Sequence, residues 1–579
     1  MYLKVLALDL DGTLAEHDVV APDTFAALQE AKAAGFLLIL VTGRQVNALL
    51  ELGPFDQLCA AIVAENGAKL FFPGTQTVMY PFGKVAKEIL AGLKAAEIPL
   101  EEGMAIVSTW VPHDAVVQRV LSETHYAATI EYNKGAVMIL PPGATKGTGL
   151  QEAITEMGYT SHQVVAFGDA ENDRSLFELA ALSVAVSNAA PEIKALADVV
   201  LDLPIGAGVS AVIRQLIAGK IPPHRTRSCH RIALGNDPEG QPVYFNPVAL
   251  LNQNLGIFGS SGSGKSWFAG MMIEKLLQQK FQLCIIDPEG DYRGLRAFPH
   301  TLLLGGPENP PLPVSSVTTL IEYANVSLIL DLSLYTYEQK VAYVKDLYQA
   351  LAGLRACRGK PHWFLLDEAH YFCSREEGPL TEMILEGMKN GGFGLISYSP
   401  SQLAPEVLEG INHWLLMRMN VAEERELIRQ HVEQDVNDAL LDRVPLLTVG
   451  SAVACFDGSI QADVPPPALI QWDGAQRLVS HVRHLHKYLR APLPEARRFY
   501  FRIYGPYQGP LSAASMWEFA TAIPQLPVKT IRYHLERKDF QQWLKNVLHD
   551  VELARKISKI SRRNLDGKNL KNELSETVG

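Results

Sequence analysis

The sequence lacks the features that mark secreted or membrane-spanning chains. Six cysteines are scattered through 579 residues and none forms a C-x-x-C pair, which argues against a disulfide framework or a zinc site and favours reduced thiols. No apolar run reaches the roughly 18–20 residues that span a bilayer. The first residues, MYLKVLALDLDGTL, carry acids within their apolar stretch, so we expect no signal peptide. These absences predict a cytoplasmic protein without a membrane partner.

An excess of positive charge is also missing. The chain has 52 Lys and Arg against 63 Asp and Glu, a net charge of −11, so nucleic-acid binding would need a local basic patch or a pore. A content of 47% hydrophobic and 20% charged residues is typical of globular proteins and excludes a disordered or fibrous chain. At roughly 100–200 residues per domain, the length predicts three or four domains.

Patterns of apolar residues divide the chain into three parts. Residues 1–220, here the N-terminal domain, alternate short apolar strands with helices, which predicts a doubly wound α/β fold. Residues 80–143 interrupt this rhythm and are expected to form a small inserted cap. Residues 228–465, the central domain, alternate again after a predicted β-hairpin at 231–245. Residues 474–579, the C-terminal domain, are expected to be mostly helical with a basic tail.

Two carboxylates follow the first predicted strand, Tyr2–Leu8. Asp9 and Asp11 are two residues apart, so both can face the crevice where open α/β sheets bind ligands. One carboxylate can attack phosphorus and form an acyl phosphate, and the other can protonate the leaving oxygen and later deprotonate water. Because two carboxylates repel a phosphate, we expect a Mg²⁺ ion with oxygen ligands.

Later strand ends supply further polar groups. Thr42 offers a hydroxyl after the predicted strand Leu37–Val41, and Lys146 offers a positive charge. The segment GDAEND, residues 168–173, follows the predicted strand Val164–Phe167 and adds two carboxylates. All four motifs occur in chain order beside predicted strand ends, which favours a shared site over the alternative of a turn with solvated acids.

These motifs resemble the haloacid dehalogenase (HAD) superfamily of phosphatases. TGR at 42–44, AENGA at 64–68, KGTGL at 146–150 and GDAENDRSLF at 168–177 resemble its Cof-type, IIB-like branch, which carries a lid. The resemblance implies a nucleophilic Asp9 and a general acid/base Asp11. It implies phosphate binding by Thr42, Gly43, Lys146 and Asn172, and magnesium binding by Asp9, Asp11 through its backbone carbonyl, Asp169 and Asp173. The usual substrates of the family are small phosphorylated sugars or acids.

A phosphate-binding loop is predicted at the start of the central domain. The predicted strand Leu255–Phe258 leads into GSSGSGKS, residues 259–266, which fits G-x-x-x-x-G-K-[ST]. Backbone N–H groups of such a loop curl around phosphate at a helix N-terminus. Lys265 is expected to reach the β- and γ-phosphates of ATP, and Ser266 to bind a second Mg²⁺.

An acid pair follows the predicted strand Trp363–Leu366. Asp367 is expected to join the magnesium ligands, and Glu368 to polarise the attacking water. Gln402, after the next predicted strand, is a candidate sensor of the γ-phosphate. The predicted ATP-binding set is therefore Gly259, Ser260, Ser261, Gly262, Ser263, Gly264, Lys265, Ser266 and Gln402.

Two further segments narrow the class of ATPase. DPEGDY at 287–292 and IALGNDPEGQPVYFNP at 232–247 resemble the HerA/FtsK branch of ring ATPases. The resemblance implies a homo-hexamer that moves double-stranded DNA with ATP, and a transition-state arginine from the next subunit. The candidates for that arginine are Arg418, Arg425 and Arg429, each with a surface salt bridge as the alternative. The N-terminal domain stands where HerA carries a β-barrel.

Three functions are compatible with these motifs. The chain is a bifunctional phosphatase and DNA translocase in DNA processing or antiviral defence, or a phosphatase that its ATPase part assembles or regulates, or a phosphatase of nucleotides or nucleic-acid ends. LRACRGK, residues 354–360, is a candidate pore loop, with a surface turn as the alternative. In the C-terminal domain, aromatic residues at helical spacing favour a packed core over a site at His534, Arg537 and Asp539. The basic tail is expected to be solvated.

Overall fold

The computed structural model describes residues 2–578 apart from 134, 223–231, 246, 248–252, 261, 308–311, 324–325, 377, 420–421, 433–437, 457–467, 473–476, 480–492, 494–497, 549–550, 562, 564 and 566. Within those residues, no helix combines the length and apolar character needed to cross a membrane.

The N-terminal domain is built on a mixed sheet of eight strands among its described residues. In spatial order the strands are Val199–Val200, Leu182–Ala185, Val164–Gly168, Val5–Asp9, Leu37–Val41, Ala61–Ala64, Lys69–Phe72 and Thr77–Met79. The first six run parallel, and the last two continue the sheet as antiparallel strands. The doubly wound α/β fold is therefore confirmed, and at this edge short turns replace helical crossovers.

Helices cover both faces of this sheet, and a second sheet forms the cap. The α-helices of the domain are Pro22–Ala33, Val46–Leu50, Phe55–Leu58, Lys146–Glu156, Arg174–Leu179, Pro191–Leu196 and Ile205–Ile217, and a small hairpin pairs Ala15–Glu16 with Val19–Val20. The cap consists of helices Lys87–Ala95 and Asp114–Thr124 and of an antiparallel sheet in the order Thr129–Asn133, Ala136–Leu140, Val107–Trp110 and Glu101–Glu102.

The central domain contains a longer sheet, with eleven strands among the described residues. Their order is Pro242–Phe245, Ile232–Asn236, Ala468–Gln471, Ser451–Phe456, His413–Leu416, Asn254–Phe258, Phe393–Ser397, Trp363–Leu366, Leu283–Asp287, Ser327–Asp331 and Thr301–Gly305. The last seven run parallel, and all of them except the edge strand Thr301–Gly305 are buried along their length, as expected for a sheet with helices on both faces. The α-helices are Lys265–Gln278, Val314–Tyr323, Tyr337–Arg358, Thr381–Met388, Pro405–Glu409, Ala422–His431 and Asp438–Leu441.

The C-terminal domain packs its helices around a separate aromatic and aliphatic core. It has a short strand pair, Phe499–Tyr500 with Ser512–Ala513, and the helices Met516–Ala522, Val528–Arg537, Asp539–Asn546, Val551–Ser561 and Gly567–Val578. The expectation of a solvated tail is wrong, because Ile557, Ile560 and Leu574 of the last two helices are buried in this core. The basic residues lie on the outer face.

The N-terminal and central domains meet at the starting ends of their parallel strands. Lys4, just before Val5–Asp9, donates from Nζ to the carbonyl of Ala356 at 2.7 Å. His162, just before Val164–Gly168, donates from Nε2 to the carbonyl of Gln279 at 2.6 Å, and its ring stacks on Phe281 at a centroid distance of 3.8 Å. The buried apolar core is continuous across this junction.

The segment 354–360 lies at this junction, with Ala356 and Cys357 exposed. Its first residues complete the helix Tyr337–Arg358. The carbonyl of Arg358 accepts a hydrogen bond from the Gln163 side chain, its guanidinium donates to the carbonyl of Met157 at 3.3 Å, and Lys360 is fully buried. The interpretation of LRACRGK as a surface turn is therefore wrong, because the segment completes a helix and its last residues contact the N-terminal domain. Its interpretation as a pore loop stays a prediction.

A close backbone approach positions the helix Lys146–Glu156. Gly67 has φ of +95°, and a Cβ atom on it would lie 1.9 Å from the carbonyl oxygen of Thr145, the N-cap of that helix. Only glycine tolerates both this conformation and this contact. The loop after Ala61–Ala64 thus sets where the first turn of the helix lies.

We expect Gly67→Ala to destabilise the protein by about 2–5 kcal/mol, the sum of a left-handed backbone penalty and an overpacking cost. The matched control is Gly74→Ala, where a Cβ atom meets nothing within 4 Å. Thermal unfolding of both variants measures the difference. Similar unfolding midpoints for the two would contradict the role of Gly67.

The junction also predicts a dependence of stability on pH. Burial lowers the pKa of His162 to about 4, whereas an unfolded histidine titrates near about 6.5. The unfolded chain therefore binds more protons between these values, and stability falls as the pH falls through that window. Between about pH 7 and pH 5 we expect His162 to account for a loss of about 2 kcal/mol.

Thermal unfolding at the two pH values tests this prediction. His162→Asn should reduce the pH dependence by about 2 kcal/mol, although buried His362 beside it keeps its own contribution. His17→Asn, at an exposed histidine of the same domain, should leave the pH dependence unchanged. Equal pH dependence in the parent protein and in His162→Asn would show that the junction does not hold His162 neutral.

Candidate functional sites

Three acids converge at the carboxyl edge of the N-terminal sheet. Asp9 ends the strand Val5–Asp9, and Asp169 follows the neighbouring strand Val164–Gly168. Asp173 lies one turn later, and one oxygen from each carboxylate lies within 4.8 Å of the others. All three residues are buried. The arrangement follows from parallel strands, which bring their carboxyl ends to one edge.

Lys146 bridges two of these acids. Its Nζ atom donates to Asp9 Oδ1 and to Asp173 Oδ1, both at 2.6 Å. Burial alone would lower the pKa of Lys146, but Asp173 and Asp9 outweigh that effect and raise it. Burial, with repulsion from Asp173, raises the pKa of Asp9 to about 8 despite Lys146. The corner therefore holds more negative charge than one ammonium offsets.

The oxygen-rich corner fits a divalent cation. Asp9 and Asp169 offer carboxylate oxygens, and Gly12 leaves room beside them, because a Cβ atom there would lie 2.3 Å from Asp169 Oδ2. Asp173 accepts from the backbone N–H groups of Asp169 and Ala170 at 2.9 and 3.0 Å, so its other oxygen is held toward the corner. Buried oxygen ligands with net negative charge are the set that Mg²⁺ prefers.

Asp11 lies apart from this cluster and is held by Arg44. Arg44 donates from Nε to Asp11 Oδ2 at 2.8 Å and from Nη2 to Asp11 Oδ1 at 2.5 Å, and it also pairs with Asp18. The Asp11 side chain is 41% exposed and faces the pocket with Asp9. The sequence contains Arg44 in its TGR motif, but the pairing with Asp11 was not predicted.

The remaining expected phosphate ligands surround the same pocket. Thr42 is buried, and its Oγ1 accepts from the backbone N–H of Arg44 at 3.2 Å. Gly43 and Asn172 line the pocket, and Asn172 Nδ2 donates to Asn66 Oδ1 at 3.2 Å. Of the sequence-predicted residues of this domain, Asp9, Asp11, Gly43, Lys146 and Asn172 line one cavity of about 260 Å³ together with residues of the cap, whereas Thr42, Asp169 and Asp173 are not among its lining residues.

Two acids in or beside this pocket had no role predicted from a motif: Glu65, which lines it, and Glu131, which is not among its lining residues. Glu65 is fully buried in AENGA, and its Oε2 accepts from the backbone N–H groups of Ala105 and Ile106 in the cap at 2.7 and 3.2 Å. Glu131 lies on a cap strand, where burial raises its pKa to about 7. The left-handed backbone of Glu65, with φ of 51°, is a feature that sequence reasoning does not detect.

The second group of predicted residues lies at the carboxyl edge of the central sheet. Gly264, with φ of +96°, precedes the helix Lys265–Gln278, and Lys265 is buried at its first position. Lys265 Nζ lies 3.7 Å from Glu368 Oε1. Ser263 Oγ is buried without a hydrogen-bond partner among the described atoms. Gly259, Ser260, Gly262 and Ser266 belong to the same loop, and Ser261 lies outside the described residues.

Asp367 faces this loop as an unsatisfied acid. It follows the strand Trp363–Leu366, is fully buried, and neither carboxylate oxygen has a hydrogen-bond partner among the described atoms. Burial raises the pKa of Asp367 well above its usual range. Glu368 has a left-handed backbone, with φ of 45°, a conformation that is common at functional sites. Unsatisfied buried oxygens beside Ser263 and Lys265 fit a divalent cation with a nucleotide phosphate.

Other predicted residues of the central domain lie around this loop with different contacts. Gln402 is exposed in the turn Pro400–Gln402. The carbonyl of Arg418 accepts from the backbone N–H of Ser260 at 3.0 Å. Arg429 is half-exposed and lies 3.8 Å from Glu426 and from Asp442. The side chain of Arg425 lies outside the described part of the chain.

The acid that opens DPEGDY shapes a turn. Asp287 accepts from the backbone N–H groups of Gly290, Asp291 and Tyr292 at 2.7–3.0 Å. Burial, together with Asp331, raises its pKa to about 7.

Buried His534 of the C-terminal domain contacts its own domain. Its Nε2 accepts from the backbone N–H of Arg502 at 3.0 Å, and its Nδ1 lies 2.8 Å from Asp539. These contacts favour a structural role.

Comparison with known proteins matches both regions. Residues 6–97 and 111–213 match the family described as haloacid dehalogenase-like hydrolase, and residues 232–354 match the one described as Helicase HerA, central domain. Phosphoglycolate phosphatase 2 of Saccharolobus solfataricus is 31% identical over 221 residues, which cover 37% of this chain and 93% of that protein.

Further relatives match the same N-terminal region. Phosphoglycolate phosphatase of Methanothermobacter thermautotrophicus is 27% identical over 219 residues, 37% of this chain and 99% of that protein. A solved HAD subclass IIB sugar phosphatase shares 23% identity with a TM-score of 0.32, over 37% of this chain and 98% of its own. The chain therefore belongs to the haloacid dehalogenase-like hydrolases through its N-terminal domain, a phosphatase domain, and continues into a HerA-type ATPase domain.

Proposed function

We propose that the chain is a bifunctional enzyme, in which a Mg²⁺-dependent phosphatase of small phosphate esters is fused to an ATP-driven ring ATPase that acts on double-stranded DNA. The observation that carries the phosphatase half is the Lys146 bridge between Asp9 and Asp173. The divisions at 1–220, 228–465 and 474–579, with the cap at 80–143, are part of this proposal. So are a cytoplasmic location and a homo-hexamer.

The proposed phosphatase reaction proceeds in two steps. An Asp9 oxygen forms a bond to phosphorus while the ester P–O bond breaks, and Asp11 gives its proton to the leaving oxygen. Asp11 then takes a proton from water, whose oxygen attacks phosphorus and releases inorganic phosphate and the free Asp9 carboxylate. Arg44 binds both oxygens of Asp11, so at least one of these contacts must break before Asp11 carries a proton to the leaving oxygen.

Charges on the phosphoryl group are offset by other residues of the pocket. Lys146 holds Asp9 in place and supplies positive charge, while Thr42, Gly43 and Asn172 surround the phosphoryl oxygens. A Mg²⁺ ion held by Asp9, the Asp11 carbonyl and Asp169, with support from Asp173, would add electrostatic stabilisation of the same oxygens.

The proposed ATPase site uses the loop at 259–266. Lys265 would contact the β- and γ-phosphates, Ser266 and Asp367 would hold Mg²⁺, and Glu368 would polarise the attacking water. The unsatisfied oxygens of Asp367 support this assignment most directly. Gln402 and one of Arg418, Arg425 and Arg429 remain the proposed γ-phosphate sensor and neighbouring-subunit arginine.

Two observations bear on what the two halves do together. The junction at His162 and Phe281 fixes the ATPase sheet to the phosphatase sheet, which favours a second candidate function, an ATPase that assembles or regulates the phosphatase without moving DNA. A cavity of about 260 Å³ favours small esters over nucleic-acid ends as phosphatase substrates. DNA processing or antiviral defence is the proposed cellular role of the translocating form.

Separate single substitutions should separate the two activities. Asp9→Asn should lower hydrolysis of p-nitrophenyl phosphate at least about 1000-fold, because the nucleophile is lost, and should leave ATP hydrolysis within about twofold, because the sites are distant. Lys265→Ala should abolish ATP hydrolysis and leave hydrolysis of p-nitrophenyl phosphate within about twofold. Exposed Asp202→Asn and Lys389→Ala serve as matched controls. Survival of both activities in Asp9→Asn would refute the assignment of the nucleophile.

Duplex DNA distinguishes the translocase from the regulatory module. If the ring acts on DNA, duplex should raise the ATPase rate by at least about fivefold, and added salt should weaken the effect as counterions compete. Steady-state ATPase assays with and without duplex, alongside a DNA-binding assay, measure this. Absence of both stimulation and binding would favour the regulatory candidate.

A further inference from the structure

The cap presents an acidic face to the phosphatase pocket. Glu131, Met138, Ser108 and Glu101 stand in register across the four cap strands. Met138, Ser108 and Glu101 line the pocket, so Glu131, at the end of the same row, lies on the same face. The pleat of a sheet requires this, because directly paired residues point to one side.

Glu131 lies beside the pocket, where Lys146 and Asp173 act on it, and one of its two oxygens is unsatisfied. Its Oε2 atom is buried without a hydrogen-bond partner among the described atoms. The charges of Lys146 and Asp173 both act on it, and its strand packs against the turn Glu171–Asp173. An unpaired carboxyl oxygen can accept a hydrogen bond, so this position can take a donor from a ligand.

Glu65 presents a second acceptor from the opposite wall. One of its oxygens accepts from two backbone N–H groups of the cap, as described above, while Oε1 is buried without a partner among the described atoms. A buried, unpaired carboxylate oxygen costs free energy unless a ligand or water supplies a donor. Glu65 therefore offers one oxygen to whatever fills the pocket.

The described cations of the pocket are already engaged. Lys146 binds Asp9 and Asp173, and Arg44 binds Asp11 and Asp18. The described lining of the pocket thus contains four acids and two basic residues: Asp9, Asp11, Glu65 and Glu101, with Lys146 and Arg44. A second anionic group on the substrate would meet these acids without a spare cation.

We propose that the pocket selects phosphate esters whose alcohol part carries hydrogen-bond donors and no carboxylate, such as polyol or amino-alcohol phosphates, and that Glu65 and Glu131 are the residues that make this selection. Hydroxyl or ammonium groups of the leaving alcohol donate to the two glutamates, and a carboxylate in the same place is repelled. This inference rests on the proposed phosphatase function and specifies its substrate class.

A panel of three esters of similar size tests the selection. Glycerol 1-phosphate and phosphoethanolamine present hydroxyl and ammonium donors, and 2-phosphoglycolate presents a carboxylate. We expect kcat/KM for at least one of the first two to exceed that for 2-phosphoglycolate by at least about tenfold, the value of one charge-assisted hydrogen bond. Equal rates, or a preference for 2-phosphoglycolate, would overturn the proposal.

Variants then assign the selection to the two residues. Glu131→Gln and Glu65→Gln should each lower the ratio of kcat/KM for the preferred ester to kcat/KM for 2-phosphoglycolate roughly tenfold, mainly through KM. Each rate is divided by the rate of the same variant on p-nitrophenyl phosphate, so that loss of folded enzyme cancels. Glu123→Gln, at a cap acid that is 67% exposed, should leave the preference unchanged.

The outcomes separate this inference from the proposed function. If Glu131→Gln and Glu65→Gln lower all normalised rates equally, the glutamates only support the fold and the inference is overturned. If the parent protein hydrolyses p-nitrophenyl phosphate but prefers the carboxylate ester, the inference alone fails. If the parent protein with Mg²⁺ hydrolyses none of these esters, the proposed phosphatase function fails, and the inference fails with it.

Discussion

The ammonium of Lys146, held between two buried carboxylates, is the interaction on which the phosphatase site depends. Asp9, Asp169 and Asp173 are close enough to repel one another strongly, since two unit charges 4 Å apart interact by roughly 4 kcal/mol at an effective dielectric constant of about 20. Lys146 offsets part of that repulsion, and its position follows from the first turn of its helix. The contact of that turn with Gly67 therefore determines where the positive charge lies.

The ATPase domain repeats this arrangement with different residues. Lys265 begins a helix, as Lys146 does, and lies near acids at the carboxyl edge of a parallel sheet. In both domains a lysine at a helix N-terminus lies near carboxylates that follow the ends of strands. In both, the negative charge of the acids exceeds the positive charge of the lysine. The difference is that Asp367 has no partner among the described atoms, whereas Asp9 is bonded to Lys146. The nucleotide-binding domain is thus the one left more dependent on its ligand.

Sequence reasoning located the strands and the acids that follow them, because buried parallel strands are continuous apolar runs with polar residues at their ends. The strand Trp363–Leu366 was predicted with the bounds that the structure has, and Asp9 and Asp169 meet as expected. Glu131 gave no signal, because only the pairing register of the cap shows which way it faces. The alternative of a surface turn at 354–360 was wrong, because the basic residues do not indicate that the segment ends a helix against another domain.

The meeting of the two sheets at their starting ends has a consequence for how reactants travel. The acids of both domains lie at the carboxyl ends of their parallel strands, whereas the junction lies at the starting ends, so both openings face away from the junction. The buried apolar core is continuous across that junction. Phosphate that leaves one opening therefore has no passage to the other through the junction and must travel through solvent.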